Sequence, residues 1–285
     1  MAPEISIVMT YHDRKELLLR TLKGLDLHPY KNFEVVIVDD ASNELNRLEG
    51  CLNFSFETTL IRINPENKTW INSCVPYNIG FSHARGDKII IQNPECMHIS
   101  DLIFKTLTIK NNEYFSFRCY SLDPDTSNLF NESLNFENKT IDRPDGTEKL
   151  NFESLCDVMS RHVYTKLPQI SCDTGQYAPA WFNHKSHRAH GFHFASAIKR
   201  SDLFDLGGFD ERFANGYCFD DNDLVLRVQK RKMNLVWCEE TVVHQWHDVV
   251  VYHKPNFTTL YNRNKFLKEQ VEASPNYKAL ETRLK

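Results

Sequence analysis

The sequence predicts a mixed α/β protein with a mostly parallel sheet flanked by helices. Two short apolar runs, Ile5–Thr10 and Glu34–Asp39, are rich in β-branched residues and end in small or acidic side chains, as central parallel strands do. A segment with leucines on one helical face, about residues 14–27, lies between them. Alternating strands and helices are typical of a parallel sheet with crossover helices.

The next elements continue this pattern in a βαβαβαβ order. After the second strand the sequence predicts a weaker strand at 59–63, a helix at 75–84, a turn at 85–87, a strand at 88–92, a helix at 101–110 and a strand at 114–121. Residues 123–150 are rich in Asn, Asp, Pro, Ser and Thr, which predicts a long loop.

The last part of the chain is predicted to become regular again. A turn at 207–210, a helix at 221–232 and a strand at 234–238 precede a polar segment of helical propensity from about Tyr261. We therefore expect one domain over 1–250 and a C-terminal helical extension over 251–285. Within the domain, a nucleotide-binding half (1–122) and an acceptor-side half (151–250) would flank the loop.

Composition excludes several classes of protein. The net charge of -4 gives no long-range attraction to nucleic acid or an anionic membrane, and the 8 cysteines form no CxxC pair. The first apolar stretch is too short for a signal peptide, and no run approaches the ~20 apolar residues of a transmembrane helix. We expect a cytoplasmic protein with no transmembrane segment.

Polar side chains follow the first two predicted strands. Thr10 ends the first strand and Tyr11 and Asp13 follow it, while Asp39 ends the second strand and Asp40 follows it. Ligands of open parallel sheets collect at the carboxyl ends of the strands, so these residues predict a nucleotide site. Helix capping by the same residue types is an equally open interpretation.

The chain lacks the glycine loops of common nucleotide-binding proteins. No GxGxxG follows the first strand and no GxxxxGK[ST] occurs, which argues against a dinucleotide dehydrogenase and a P-loop NTPase. A nucleotide sugar can instead be held through a metal ion on its diphosphate.

The strand at 88–92 ends in Asn93-Pro94-Glu95, whose oxygens suit Mg²⁺ or Mn²⁺. The segment 84–95 resembles the stretch that includes the Asp-x-Asp motif of family 2 glycosyltransferases with the Rossmann-like GT-A fold. The resemblance implies that Glu95 binds a divalent cation, Mn²⁺ or Mg²⁺, and that Asn93 lies on the donor. Asn93 departs from the family's acidic residue, which leaves weakened catalysis open, and a simple turn after a buried strand is the alternative.

A third segment resembles the acceptor side of the same family. The turn Gly207-Gly208-Phe209-Asp210-Glu211 is followed by three acidic residues, Asp220, Asp221 and Asp223. Asp221 matches the position of the family's catalytic base, which takes a proton from the attacking hydroxyl. Asp220 and Asp223 would hold neighbouring groups or the acceptor, with Trp181 on the acceptor side. Capping of the following helix explains one of these acids but three less well.

Histidines form the last pattern. His184, His187, His190 and His193 recur every three residues, a spacing that drifts off a helical face and favours a zinc site only weakly. By resemblance, a late histidine joins the metal site, and His247 is slightly preferred to His244. A packed histidine is the alternative.

Together these resemblances imply an inverting transferase that moves a sugar from a nucleoside-diphosphate sugar, with UDP favoured, to a hydroxyl of a glycan or other acceptor. Tyr11, Asp13 and Asp39 would hold the nucleoside. A non-catalytic binding domain for sugar nucleotides or glycans remains the alternative, supported by Asn93. A sugar nucleotidyltransferase is disfavoured because Tyr11-His12-Asp13-Arg14 is not a glycine-rich basic loop.

Overall fold

The structure, a computed structural model, describes residues 2–143, 146–166, 180–248 and 254–284. Its strands are β1 (Ile5–Tyr11), β2 (Phe33–Asp39), β3 (Glu57–Arg62), β4 (Lys88–Gln92), β5 (Cys96–His98), β6 (Glu113–Ser121), β7 (Leu134–Asn135), β8 (Thr140–Arg143), β9 (Gly146–Lys149), β10 (Ala180–Asn183), β11 (Ala195–Lys199) and β12 (Asn234–His244). Its α-helices are α1 (Lys15–Asp26), α2 (Cys74–His83), α3 (Leu102–Leu107), α4 (Pro124–Ser133), α5 (Phe152–Lys166), α6 (Arg200–Leu206), α7 (Asp220–Lys230) and α8 (Phe257–Ala273).

The main sheet has the strand order β3-β2-β1-β4-β11-β6-β12-β5, and β10 pairs with β6. The first four strands of this order are parallel, β11 is antiparallel to both of its neighbours, and β12 is parallel to β6 but antiparallel to β5. The predicted mixed, mostly parallel sheet is confirmed.

Helices cover both faces of this sheet. Because side chains alternate along each strand, residues of one strand pack in the cores on both faces. Ile5, Ile7 and Met9 of β1 pack in a core that includes residues of α1 and α3. Val8 lies in a second core with residues of α2, α6 and α7. Burial on both faces explains why β1 reads as a continuous apolar run rather than an alternating one.

Two sequence predictions for the chain up to residue 150 are wrong: the order of the elements and the loop at 123–150. Between β2 and β3 the described chain has only the short 3-10 helix Glu44–Asn46, so two strands follow each other there, as the individual predicted segments have it, and the βαβαβαβ order is wrong. Residues 123–150 are not a loop but contain α4 and the three-stranded sheet β7-β8-β9. Asp123 caps α4 by accepting from the Thr126 backbone N–H, and Phe130 is buried in a third core. The polar residues that suggested a loop are therefore caps and exposed faces.

The C-terminal part is also more integrated than its polar sequence predicts. Helix α8 begins at Phe257, and its buried Asn264 donates to the carbonyls of Phe213 and Cys218. These bonds fix the segment that leads into α7. Strand β12 is longer than predicted and contains a bulge between Trp237 and Thr241. In the described parts of the chain, we find no helix with the length and apolarity needed to span a bilayer.

Candidate active site

A cleft of about 410 Å³ opens beyond the carboxyl ends of β1, β2 and β4. The side chains that line it are Thr10, Tyr11, His12, Arg14, Asp40, Lys68, Trp70, Ile71, Ser73, Tyr77, Asn93, Pro94, Glu95, Tyr217 and Lys254. Residues predicted from two separate sequence clusters thus share one cavity. The parallel pairing of β1 with β2 and β4 brings those strand ends together.

Asp39 and Asp40 occupy different environments although they are adjacent. Asp39 is fully buried and does not line the cleft, because its carboxylate pairs with Arg62 Nη1 at 2.6 Å and accepts from Ser42 N at 2.8 Å. Asp40 lines the cleft and accepts from Lys68 Nζ and Trp70 Nε1, both at 2.8 Å. Burial raises the pKa of Asp40, and the lysine only partly offsets this.

Tyr11 at the end of β1 and Asp13 just after it also differ in whether they line the cleft. Tyr11 lines the cleft from a buried position, and its hydroxyl donates to the Asn46 carbonyl. Burial raises the pKa of Tyr11, so the phenol stays protonated. Asp13 is more exposed, and its carboxylate accepts from Asn43 N at 2.8 Å. Asp13 therefore shapes the loop beside the cleft rather than lining it.

Glu95 forms a cluster with both late histidines. Its Oε1 lies 3.1 Å from His244 Nε2, 3.4 Å from His247 Nε2 and 3.2 Å from Arg14 Nη1. Burial opposes ionisation of Glu95, but Arg14 and the two histidines outweigh it and hold its pKa well below the usual range. The ligand atoms of Glu95, His244 and His247 all lie within 4.8 Å of one another.

Sheet register explains how distant residues reach Glu95. His244 ends β12 and pairs with Cys96 of β5, so it lies next to the residue that precedes β5. His247 follows three residues later and reaches the same carboxylate. The sequence favoured His247 slightly, and the structure brings both histidines to Glu95.

This cluster has the chemistry of a metal site. Among the described residues, Glu95 Oε2 is buried without a hydrogen-bond partner, and His247 Nε2 is buried with a contact to Glu95 Oε1 at 3.4 Å that does not reach hydrogen-bond geometry. Such orphaned atoms are costly unless a further ligand satisfies them. Two imidazoles and one carboxylate suit a divalent transition-metal ion better than Mg²⁺, which prefers oxygen ligands.

Asp221 pairs with His193 beside this cluster. Asp221 Oδ1 accepts from the His193 backbone N–H at 3.1 Å and also contacts His193 Nδ1. Burial opposes protonation of His193, but the charge of Asp221 and the hydrogen bond to it outweigh this and raise the histidine's pKa. Tyr77 packs edge-on against His193 and donates to Asn93 Oδ1 at 3.2 Å. Tyr77 therefore links the Asn93-Glu95 loop to the His193-Asp221 pair.

Asp220 is buried next to Asp221 and accepts from Asn72 Nδ2 at 2.9 Å. Burial, followed by the charge of Asp221, raises the pKa of Asp220 to about 6. Perturbed carboxyl groups of this kind cluster at functional sites.

Two predicted acceptor residues are packed elsewhere. Asp223 is fully buried in an ion pair with Arg227, which also donates to the carbonyls of Leu206 and Gly208. Trp181 is only 4% exposed and packs against Tyr120. Both side chains contribute to the core in this structure.

The histidine series does not converge. His184 and His187 pack against each other near Trp181, His190 stacks on Phe192, and only His193 reaches an acid. Sequence reasoning missed the pairing of His193 with Asp221, and it also missed Arg14, Lys68 and Trp70 in the cleft. A basic residue soon after the end of the first strand was the available signal for Arg14.

The family model described as Glycosyl transferase family 2 matches residues 6–167, which is more than half of the chain. The chain therefore belongs to glycosyl transferase family 2. A curated relative, an uncharacterized glycosyltransferase of Haemophilus influenzae, is 27% identical over 139 residues. That match covers 48% of this chain and 44% of the relative, so the chain spans less than half the length of that protein.

Solved structures share the fold at low sequence identity. Mannosyltransferase PcManGT from Pyrobaculum calidifontis, in complex with GDP-Man and Mn²⁺, matches with a TM-score of 0.50 and 14% identity over 96% of this chain and 73% of its own. TarS 1–349 of S. aureus with UDP-GlcNAc gives 0.52 and 10% over 95% and 70%. GalNAc-T7 with UDP, GalNAc and Mn²⁺ gives 0.52 and 14% over 85% and 45%. These matches confirm the predicted GT-A fold.

Proposed function

We propose that this chain transfers a sugar from a nucleoside-diphosphate sugar, preferably a UDP-sugar, to a hydroxyl acceptor with inversion at the anomeric carbon. One observation carries the proposal: Glu95, the carboxylate of the Glu95-His244-His247 cluster, lines the cleft at the strand ends, and the His193-Asp221 pair lies across Tyr77 from it. Family membership and complexes of the structural relatives with sugar nucleotides support it. Residues 1–250 form the catalytic domain in this proposal.

The donor would occupy the cleft with its nucleoside towards β1 and β2. Tyr11, Asp40 and Trp70 offer an aromatic and polar surface there, and Asp39 pairs with Arg62 next to Asp40. Thr10 and Asn93 lie on the same surface, and Asp13 holds its loop.

The diphosphate would lie between Arg14 and Lys68, two cations that line the cleft. Glu95, His244 and His247 would hold a divalent ion, for which Mn²⁺ fits the donor set. Such an ion supplies Lewis-acid stabilisation of the charge on the departing nucleoside diphosphate.

Asp221 would take the proton from the acceptor hydroxyl as that oxygen attacks the anomeric carbon. His193 binds Asp221 Oδ1 through both its backbone N–H and its imidazole, which fixes the direction of the carboxylate. The Asp221 side chain is 28% exposed, so an acceptor hydroxyl can approach it. Asp220 is a second acid beside Asp221.

Turnover of a panel of UDP- and GDP-sugars with Mn²⁺ tests this proposal. We expect hydrolysis or transfer from one UDP-sugar, a product of inverted configuration by NMR, and loss of activity in Glu95→Gln. The matched control is Glu57→Gln, an exposed glutamate on the edge strand β3, which we expect to retain activity. Equal activity of Glu95→Gln and wild type would contradict the site, and turnover of a GDP-sugar alone would contradict the UDP preference.

Asn93 favours one second candidate, a non-catalytic domain that binds sugar nucleotides or glycans. Its uncharged side chain accepts from Tyr77 and supplies no acid at the first motif position. The same panel distinguishes the two functions: nucleotide binding by calorimetry without turnover of any donor would favour the binding domain.

A further inference from the structure

Gln245 lies between the two histidines of the metal cluster and has a saturated set of hydrogen bonds. It is only 2% exposed. Its Nε2 lies within hydrogen-bond distance of three acceptors, the Leu17 carbonyl at 3.1 Å, Thr21 Oγ1 at 3.1 Å and the Glu95 carbonyl at 3.2 Å, which share its two N–H donors. Its Oε1 accepts from Arg20 Nη1 at 2.6 Å.

These bonds connect the segment 244–247 to two other parts of the protein. The Gln245 backbone N–H also donates to the Glu95 carbonyl at 3.0 Å, so backbone and side chain hold the same atom of Glu95. Leu17, Arg20 and Thr21 all belong to α1. Gln245 therefore fixes the positions of α1, the Glu95 backbone and the late histidine segment relative to one another.

Such a fixture is needed because β12 ends at His244. Sheet pairing places His244 opposite Cys96, but His247 lies beyond the strand. The His247 side chain itself contacts the carbonyl of its own neighbour, Asp248, through Nδ1. Gln245 supplies the connection between the segment that carries His247 and the residue that carries the shared carboxylate.

We propose that Gln245, anchored by Arg20, is a positioning residue that sets the separation of Glu95 from His247 and thereby the affinity of the site for a divalent metal. This inference rests on the metal site of the proposed function. Gln245 touches neither substrate nor metal, and it acts through the backbone of Glu95 and the direction of the segment 244–247.

Direct titration with Mn²⁺ alone, following the free ion by EPR, tests the inference without any measurement of activity. Gln245→Met keeps the side-chain length and removes every side-chain hydrogen bond. We expect Mn²⁺ to bind about 10- to 100-fold more weakly, as for other residues that orient metal ligands from outside the ligand set. Arg20→Met should produce a smaller loss of affinity.

Arg231→Met is the matched control for Arg20→Met. Arg231 pairs with Asp202 and Asp205, away from the cleft. We expect it to lower the melting temperature without changing the affinity for Mn²⁺. In turnover assays, Gln245→Met should need more Mn²⁺ for half-maximal rate, while kcat at saturating Mn²⁺ stays within a few-fold of wild type.

Wild-type affinity for Mn²⁺ in a folded Gln245→Met protein would overturn the inference. If that variant does not fold, Arg20→Met and Thr21→Val decide the question, since each removes one hydrogen bond between α1 and the Gln245 side chain. Failure of the inference alone would appear as loss of Mn²⁺ binding in Glu95→Gln but not in the Gln245 variant. Absence of Mn²⁺ binding in wild type would overturn the metal site and the inference together.

Discussion

Replacing Asp220 with asparagine should stabilise the protein at alkaline pH and leave its stability nearly unchanged at acidic pH. Asp220 is buried beside Asp221, and Asn72 donates to its Oδ1. Burial and the neighbouring charge, partly offset by His193, raise its pKa from 3.8 to about 6. Asparagine keeps an oxygen for Asn72 to bond and removes the unfavourable charge.

The size of the effect follows from the shift in pKa. Each unit corresponds to about 1.4 kcal/mol, so a shift of roughly two units corresponds to about 3 kcal/mol when the carboxyl is fully ionised. A carboxyl with a raised folded-state pKa binds its proton first in the folded state as the pH falls. Wild type therefore gains stability relative to Asp220→Asn from about pH 6 down to about pH 4.

Urea unfolding at pH 8 and pH 4 measures this difference. We expect the free energy of unfolding of Asp220→Asn to exceed that of wild type by up to about 3 kcal/mol at pH 8 and by less than about 1 kcal/mol at pH 4. Asp101→Asn is a control of opposite sign: burial raises the Asp101 pKa, but bonds from His28 and the Phe104 N–H outweigh this and lower it. This control should lose stability at pH 8 and lose nearly as much at pH 4, because the stabilisation from a carboxyl with a lowered pKa is lost only as the pH falls below about 4. An Asp220→Asn difference that does not change with pH would refute the reasoning.

Three other substitutions test the base, the sheet packing and the C-terminal helix. Asp221→Asn should lower kcat about 10²- to 10⁴-fold without changing nucleotide affinity measured by calorimetry, and a smaller loss would argue against a general base. Gly80→Ala should cost about 1–3 kcal/mol in urea unfolding, because its Cβ would lie 2.5 Å from Val8 Cγ1. Gly24→Ala is its control, since a Cβ there has a nearest neighbour at 3.5 Å, and it should be neutral or stabilising. Asn264→Ala should lower the free energy of unfolding by about 1–3 kcal/mol and also lower kcat, because it removes the two hydrogen bonds by which α8 holds the carbonyls of Phe213 and Cys218 before α7. An unchanged kcat would show that α8 does not position Asp221.

The sequence predicts the strand ends of the cleft well because the signal is local. A buried parallel strand is a continuous apolar run, and the polar residues that follow it must lie at one edge of the sheet. Asp40, Asn93 and Glu95 reach the cleft for this reason.

Asp39 shows where local reasoning fails. Its partner Arg62 lies opposite it in the register of β2 and β3, which the composition of a weakly predicted strand does not reveal. The same limit applies to His193, whose pairing with Asp221 depends on the packing of a loop against the start of α7. Charge pairs across strands and loops are tertiary facts, and spacing along one chain does not encode them.

The loop prediction for residues 123–150 is wrong for a different reason. A high content of polar residues suggests a loop, but the same residue types cap a helix when they stand just before its first turn. Asp123 followed by Pro124 is the start of a helix, with proline in its first turn.

The bulge in β12 has a consequence for how this site tolerates insertions and deletions. Along β12 the pairing advances from Trp237 to Thr241 while the partner β6 advances only from Ser116 to Arg118. Successive strand residues face opposite sides of a sheet, so loss of one residue downstream of the bulge would turn His244 to the other side. Loss of two residues within the bulge would restore an unbroken ladder and keep His244 on its present face. Lineages of this fold should therefore vary in length here by even numbers of residues wherever the histidine is retained.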